Sequence, residues 1–204
     1  MLLPGNTIAN LLSANADEEN DPLVISPCPD LEMLKKNGGA SIDLRLGAWF
    51  VSMKARRTAL LDVFDSESES EKSVDQSSKY YVPFGETFVL HPKTFILAVT
   101  LEWLRMPLNL AGMVTGKSSW GRRGLIIETA PGVHPGFTGC LTLELTNVGE
   151  IPIAIRPGTE ICQLFLHQLE SPVPDTPSSH FLGQRQPVQS TITPDAFAKN
   201  LMGI

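Results

Sequence analysis

The N-terminal part of the chain carries a helical pattern of apolar positions. Ile8, Leu11 and Leu12 recur at the spacing that places side chains on one face of a helix, and an Asn or Thr suitable for capping precedes them. This pattern predicts a helix over residues 6–16. A second, shorter helix is predicted over residues 30–36, where it ends before a pair of glycines that can adopt the left-handed conformation.

The pattern changes from residue 40 onward to short apolar or alternating runs bounded by glycine and proline. Such runs at close spacing predict a β-sandwich or barrel rather than alternating β and α units. The predicted strands cover residues 42–46, 88–90, 95–101, 125–129, 140–145, 151–155 and 161–166. We therefore expect a mainly β fold with short peripheral helices.

The segments outside these runs suggest how the chain is organised. Residues 65–78 are rich in Ser, Glu and Asp and predict an exposed loop, because they lack the apolar surface needed to fold on their own. The C-terminal tail contains several prolines and is either disordered or folded over another part of the molecule. We expect one domain overall, with a helical segment (1–39) packed on a β core (40–170) and a tail (171–204).

Composition and charge restrict the class of protein. The 204 residues are 42% hydrophobic and 19% charged, as in ordinary soluble globular proteins. No run approaches the roughly 20 apolar residues that span a bilayer, and the N-terminus lacks the layout of a signal peptide. The formal charge of −6 argues against a broad nucleic-acid surface, which usually carries a basic excess. We therefore expect a cytoplasmic protein that binds neither membranes nor nucleic acid.

The residue types that bind metals are scattered along the chain. The three cysteines, Cys28, Cys140 and Cys162, form no C-x-x-C pair, and the four histidines show no metal-ligand spacing. Neither a disulfide framework nor a zinc site is expected, and no residue is assigned as a metal ligand.

The segment GKSSWGRR, residues 116–123, concentrates groups that can hold phosphate oxygens. It offers two hydroxyls, three cations and glycines that allow close approach of the backbone. An isolated segment of this kind is more often a solvated basic turn. The motifs elsewhere in the chain are what favour the phosphate-binding interpretation.

Taken together, these motifs resemble those of the bacterial dCTP deaminases of the dUTPase superfamily. They occur in the family's order and at about its spacing, from about residue 40 to residue 186. They are GKSSWGRRGLIIETAPGVHPGFTGCLTLELTN (116–147), ASIDLRLG (40–47), RPG (156–158) with CQL (162–164), and GQR (183–185). The resemblance implies a dUTPase-like distorted β-barrel or jelly roll, a homotrimer with active sites shared between neighbouring chains, and dCTP as the substrate.

Glu144 is the candidate proton shuttle. By the period of two, Leu141, Leu143 and Leu145 share one face of the predicted strand, while Thr142 and Glu144 share the other. Without context, a glutamate on such a face is more often a solvated surface residue. The resemblance implies instead that Glu144 takes a proton from water and delivers it to the leaving amine.

Deamination of cytosine at C4 requires an activated water, which zinc deaminases obtain from an H-x-E and P-C-x-x-C arrangement. The sequence has neither element. The resemblance implies that Ser118 and Arg122 position the water and stabilise the tetrahedral state beside Glu144. It also implies that backbone carbonyls near Thr129 and Ala130 complete the surroundings of the water.

The same resemblance implies a set of phosphate ligands. They are Lys117, Ser119, Arg122, Gln184 and Arg185, of which the last two belong to a C-terminal flap that closes over the triphosphate. Mg²⁺ is expected to bind mostly through the nucleotide and water, because it dehydrates reluctantly.

His134 departs from the family's pattern, which usually has Asp at this position. In dUTPases that aspartate activates the water that attacks the α-phosphate, and a neutral imidazole is a weaker substitute. We therefore expect deamination of dCTP to dUTP and ammonia without a second hydrolysis, and His134 either belongs to the base pocket or only fixes a turn. His180 and Phe181 stand where the family commonly has Lys and Tyr, a change that can weaken the grip on the triphosphate.

Several alternatives stay open. A dUTP pyrophosphatase or a bifunctional deaminase-pyrophosphatase is disfavoured by His134. A non-catalytic nucleotide-binding regulator would explain the departures from the family's pattern, but the retained Ser118, Arg122 and Glu144 argue against it. Asp43 and Arg45 either form a local ion pair that fixes a turn or bind the ligand.

Overall fold

The computed structural model of the chain describes residues 1–14, 21–36, 38–53, 77–128, 132–175, 182–188 and 201. Strands dominate this part of the chain, which confirms the predicted mainly β fold with short helices. None of the helices within these ranges has the length and apolar character needed to cross a bilayer.

The secondary-structure elements are numbered here in chain order. The helices are α1 (Gly5–Ser13), α2 (Leu31–Lys36) and α3 (Ser118–Gly121). The strands are β1 (Val24–Ser26), β2 (Ser41–Met53), β3 (Ser77–Tyr81), β4 (Phe88–Leu90), β5 (Phe95–Arg105), β6 (Leu110–Gly116), β7 (Leu125–Glu128), β8 (Gly132–Val133), β9 (Thr138–Asn147), β10 (Ile153–Ile155) and β11 (Glu160–Gln168).

Nine of the strands form one antiparallel sheet that curls into a half-barrel. The strands follow the order β7-β9-β5-β2-β11-β6-β8, with β1 added beside β5 and β3 beside β2, while β4 and β10 form a separate pair. Gly116 on β6 lies so close to Ile127 on β7 that an added Cβ would stand 3.1 Å from the Ile127 Cβ. The curl therefore brings β7, at one end of the strand order, against β6 near the other end.

The long strand β2 joins the two halves of this sheet. Its first residues pair with β11, and from Leu46 onward it pairs with β5 and β3. Gly47 lies at the irregularity between the halves, where an added Cβ would stand 2.9 Å from the carbonyl oxygen of Val99. Only glycine fits this close approach, so Gly47 marks a bend within a strand.

One apolar core fills the inside of the curled sheet. It contains the inward-facing side chains of the strands, among them Phe50 and Leu143, which are fully buried. The N-terminal segment packs on the same core through Ile8 and Ile25. The main-chain N–H of Leu3 also donates to the Leu166 carbonyl oxygen on β11 at 2.9 Å, which ties the N-terminus to the sheet.

Both predicted helices are found, with shifted ends. Helix α1 ends at Ser13, and residues 15 and 16 of the predicted helix lie outside the described residues. The predicted Asn or Thr cap is wrong, because Pro4 precedes the helix and no side chain caps it. Helix α2 follows Asp30, whose carboxylate accepts two main-chain N–H groups of the first turn at 3.0 Å.

The loop predicted over residues 65–78 is partly wrong. Ser77 and Ser78 belong to β3, which pairs with the second half of β2, and residues 65–76 lie outside the described residues. Strands β1, β6 and β8 also have no counterpart among the predicted strands.

Candidate active site

Glu144 lies on β9 with an exposed side chain. Alternation along the strand buries Leu143 and Leu145 and leaves Glu144 on the outer face, as the period of two predicts. Its cross-strand neighbours are Leu97 on β5 and Glu128 on β7. No described residue forms a hydrogen bond or ion pair with its carboxylate, which is therefore accessible for acid–base chemistry.

The candidate hydroxyls and guanidinium lie on one short helical turn. Helix α3 carries Ser118 and Ser119, and the main-chain N–H of Arg122 donates to the Ser118 carbonyl oxygen at 3.0 Å. All three side chains are exposed, and within the part of the chain that the structure covers they have no hydrogen-bond partner. The turn thus presents two hydroxyls and one cation that are available to a ligand.

A single chain does not bring Glu144 into contact with this turn. Helix α3 precedes the start of β7, where Leu125 pairs with Asn147, whereas Glu144 pairs with Glu128 at the far end of β7. The two ends of β7 are about 10 Å apart at the usual rise per residue. No hydrogen bond or ion pair among the described residues links Glu144 with α3.

Lys117, which precedes this turn, has two carboxylate partners. Its Nζ lies 2.7 Å from Asp43 Oδ2 on β2 and 2.7 Å from Glu160 Oε2 on β11. Burial lowers the pKa of Lys117, but hydrogen bonds and charges from both carboxylates outweigh burial and raise the pKa above its usual 10.5. The predicted phosphate role of Lys117 stays a prediction, and its ammonium is already paired with two anions.

Asp43 and Arg45 each find a partner on a different strand. Asp43 contacts Lys117 and accepts a hydrogen bond from Gln163 Nε2 at 3.0 Å. Arg45 donates to the buried carboxylate of Glu102 through its main-chain N–H at 2.8 Å and through Nη1 at 3.1 Å. Within the described residues, the interpretation of Asp43 and Arg45 as a local ion pair is therefore wrong, because both side chains connect separate strands.

The C-terminal tail runs beside the strand that carries Glu144. The N–H of Gly183 and the carbonyl oxygen of Gln184 form main-chain hydrogen bonds with β9 at 2.7 and 2.8 Å. They create a parallel bridge at Gly139, near the start of the strand. The exposed Arg185 follows this bridge. The two predicted flap residues therefore lie along the same strand as the candidate acid–base group.

His134 follows β8 at the start of a turn, and its carbonyl oxygen accepts the N–H of Phe137 at 3.1 Å. The main chain of His134 thus closes the turn, and the imidazole is exposed. Four other candidate residues lie outside the described residues: Thr129, Ala130, His180 and Phe181.

A family model described as dCTP deaminase-like matches residues 2–169, which is most of the chain. The chain belongs to the dCTP deaminase-like family. Among curated relatives, the "dCTP deaminase, dUMP-forming" of Methanobrevibacter smithii is 34% identical over 184 residues, covering 87% of this chain and 91% of that protein. The protein of the same name from Dictyoglomus thermophilum is 36% identical over 184 residues, covering 87% and 90%.

A solved structure shares the fold. The 2'-deoxycytidine 5'-triphosphate deaminase of Agrobacterium tumefaciens superposes with a TM-score of 0.56 at 20% identity, over 81% of this chain and 47% of that chain. At this identity the likeness concerns the fold alone. The dCTP deaminase-like assignment confirms the family resemblance drawn from the motifs.

Among the described residues, no three His, Cys, Asp or Glu side chains are grouped to hold a metal ion. Asp43, two strands from α3, is already bonded to Lys117 and Gln163.

The sequence motifs did not identify the hydrogen-bond and ion-pair partners of Asp43, Arg45 and Lys117. Glu102, Glu160 and Gln163 contact Arg45, Lys117 and Asp43 across strands. Only Gln163 lies in a quoted motif, and without the strand register nothing in the sequence connects these positions.

Proposed function

We propose that the protein deaminates dCTP with release of ammonia and uses the carboxylate of Glu144 where other deaminases use zinc. The observation that carries the proposal is the exposed carboxylate of Glu144 on β9, which has no hydrogen-bond or ion-pair partner among the described residues, in a chain of the dCTP deaminase-like family. The names of the two curated relatives support dCTP as the substrate.

In the proposed reaction, the oxygen of a water molecule bonds to C4 of the cytosine. Glu144 accepts a proton from the water and passes it to N3, and the second water proton then leaves with the amino group as ammonia when the C4–N bond breaks. The Ser118 hydroxyl and the Arg122 guanidinium hold the water and stabilise the tetrahedral state. Main-chain carbonyl groups near Thr129 and Ala130 are proposed to accept hydrogen bonds from the same water.

Assembly as a homotrimer with shared sites is part of this proposal. Glu144 and α3 are not in contact within one chain, and a closed symmetric arrangement lets the Glu144 strand of one copy face α3 of the next. The sheet also has an outward face that is partly apolar, where the exposed Met113 on β6 pairs with Phe165 on β11. Burial of this face between copies would remove apolar surface from water.

The triphosphate is proposed to contact Ser119 and Arg122 from the α3 turn, and Gln184 and Arg185 from the tail. The exposed guanidinium groups suit phosphate oxygens because they donate in a planar fork. Mg²⁺ would be held by the phosphates and water and would neutralise part of the phosphate charge.

The nucleotide product is either dUTP or dUMP. The relatives' names favour dUMP, whereas the imidazole of His134, at a position where the motif resemblance implies Asp, favours dUTP. We propose dUTP as the product, because an imidazole is a weaker acceptor than a carboxylate for holding a second attacking water.

The first experiment assays ammonia, pyrophosphate and the uracil nucleotide after incubation with dCTP and with dUTP, with and without Mg²⁺. We expect ammonia and dUTP from dCTP, no product from dUTP, and no ammonia from Glu144→Gln, with Glu150→Gln as a matched exposed control. Pyrophosphate with dUMP would support the bifunctional alternative. Nucleotide binding without ammonia from the unmutated protein would support the regulator and overturn the proposal.

The second experiment tests the shared site by mixing two inactive variants, Glu144→Gln and Ser118→Ala, after unfolding and refolding them together. Random assembly of shared sites should restore about a quarter of the wild-type activity, because one in four interfaces receives both intact residues. A site contained within one chain would give no recovery. Light scattering should give three times the 22.2 kDa chain mass.

A further inference from the structure

Lys117 holds the start of the α3 turn onto two strands of the sheet. Its Nζ contacts Asp43 on β2 and Glu160 on β11, both at 2.7 Å, and its side chain is only 21% exposed. Asp43 is itself fixed, because its Oδ1 accepts from Gln163 Nε2 at 3.0 Å. The ammonium therefore joins two strands at positions that neighbouring side chains hold in place.

The residues on both sides of the two serines are bonded to β11 as well, Lys117 through its main chain and Trp120 through its side chain. The N–H of Lys117 donates to the Ile161 carbonyl oxygen at 3.1 Å, and Nε1 of Trp120 donates to the Glu160 carbonyl oxygen at 2.9 Å. Ser118 and Ser119 lie between these two attachment points. The main-chain position of both serines is thus set by residues 160 and 161.

The charge of this cluster argues against a direct contact of Lys117 with phosphate. One ammonium faces two carboxylates, so the three side chains together carry one net negative charge. Two of the three ammonium N–H donors already have acceptors. A triphosphate would meet surplus negative charge here, whereas Arg122 is exposed and has no ion-pair partner within the part of the chain that the structure describes.

We propose that Asp43, Lys117 and Glu160 form an ion-pair clamp that positions Ser118 and Arg122, and that Lys117 is a positioning residue rather than a phosphate ligand. This inference rests on the proposed function, because it concerns the geometry of that site. A displacement of about 1 Å in a water-holding group can reduce turnover by roughly a hundredfold. Loss of the clamp should therefore reduce kcat more than it changes KM.

The test compares Glu160→Gln, Asp43→Asn and Lys117→Gln with Glu86→Gln, an exposed control on the turn before β4. For the three clamp variants we expect kcat for dCTP to fall about tenfold or more, while KM stays unchanged or rises by a smaller factor because Arg122 on the same turn also contacts the triphosphate. The double variant Lys117→Gln/Glu160→Gln should fall little further than either single variant, because both break the same contact.

The alternative role predicts the opposite sign for Glu160→Gln. If Lys117 binds phosphate, removal of a competing carboxylate frees its ammonium, so KM falls and kcat stays unchanged. In that case the effect of Lys117→Gln would also shrink with dCDP or dCMP in place of dCTP. Either result would overturn the clamp.

Amide hydrogen exchange of Lys117 and Arg122 separates failure of the clamp from failure of the proposed function, because it requires no turnover. Exchange of these amides should accelerate in all three clamp variants and stay unchanged in Glu86→Gln. Unchanged exchange in the clamp variants would refute the clamp even if ammonia is never produced. Absence of ammonia from the unmutated protein, with faster exchange in the variants, would refute only the proposed function.

Discussion

Arg45 donates twice to the carboxylate of Glu102, once from its main chain and once from its guanidinium, at 2.8 and 3.1 Å. Glu102 is a charged residue that is only 1% exposed, and it lies on β5 within the irregular register opposite β9. The pair joins β5 to the bend of β2. It is therefore a structural contact at the junction of the two halves of the sheet.

Removal of the Glu102 carboxylate tests this contact. Glu102→Ala leaves the Arg45 N–H without its acceptor and should lower the free energy of unfolding by about 1–3 kcal/mol. Glu102→Gln keeps an acceptor of similar shape and should cost less. Denaturant unfolding of both variants measures the difference, and equal losses would show that the acceptor is unimportant.

The same residue predicts a pH dependence. Burial raises the pKa of Glu102 above 4.5, although the bonds from Arg45 partly oppose burial. A carboxyl with a raised pKa in the folded state contributes stability below the unfolded pKa and loses it as the pH rises through the folded pKa. Wild-type unfolding free energy, measured relative to Glu102→Gln, should therefore fall as the pH rises from about 4 to 7. A rise in this unfolding free energy with pH would mean that the bonds from Arg45 outweigh burial and lower the pKa of Glu102.

The fold was predictable wherever apolar alternation reflected burial. Residues 88–90 and 161–166 lie within strands that bury apolar side chains such as Leu90 and Leu164 in the core. β3 was not predictable in the same way, since its SSKYY sequence is polar and only its pairing with β2 makes it a strand. The predicted strand over residues 42–46 stops before Gly47, because glycine often ends a strand, whereas β2 continues to Met53. Gly47 is required there by close packing against Val99.

The candidate site was predictable only as a set of residue types. The serines, Arg122 and Glu144 were identified from motifs, and the structure presents all of them on the surface. The partners of Lys117 were not predictable, because Asp43 and Glu160 reach it through the register of β2 and β11. Contacts between distant strands depend on the fold and leave no local signal.

The carboxylates of Glu128 and Glu144 are expected to repel each other. They stand directly opposite each other on β7 and β9, and like charges in this arrangement destabilise a sheet by roughly 0.2–1 kcal/mol. Glu128→Gln should therefore raise the free energy of unfolding by a few tenths of a kcal/mol at low salt, and less at about 1 M salt. In a Glu144→Gln background the same substitution should bring no gain. An equal gain in both backgrounds would exclude repulsion as the cause.

The cysteines should differ strongly in reactivity, because the thiolate is the nucleophile. Cys28 is exposed, burial raises the pKa of Cys140, and burial raises the pKa of Cys162 to about 12. A colorimetric thiol reagent at about pH 8 should react quickly with one thiol per native chain and with the other two only after unfolding. Cys28→Ser should abolish the fast phase. A second fast thiol would indicate that Cys140 is uncovered in solution.

The attachment of the tail to β9 can be tested at Gly139. This residue has a φ of 132°, and an added Cβ would stand 3.1 Å from both the N and the O atoms of Gln184. Gly139→Ala should therefore release the tail, because the substitution is strained and the neighbouring backbone cannot yield easily. If Gln184 and Arg185 bind the triphosphate, KM for dCTP should rise several-fold, and the Gly183 amide should exchange faster.

Gly39→Ala is the control for this substitution, since an added Cβ there meets nothing within 4 Å. Unchanged amide exchange and unchanged KM in Gly139→Ala would mean that this bridge does not hold the tail in solution. Faster exchange with an unchanged KM would mean that the tail is released but does not contribute to nucleotide binding.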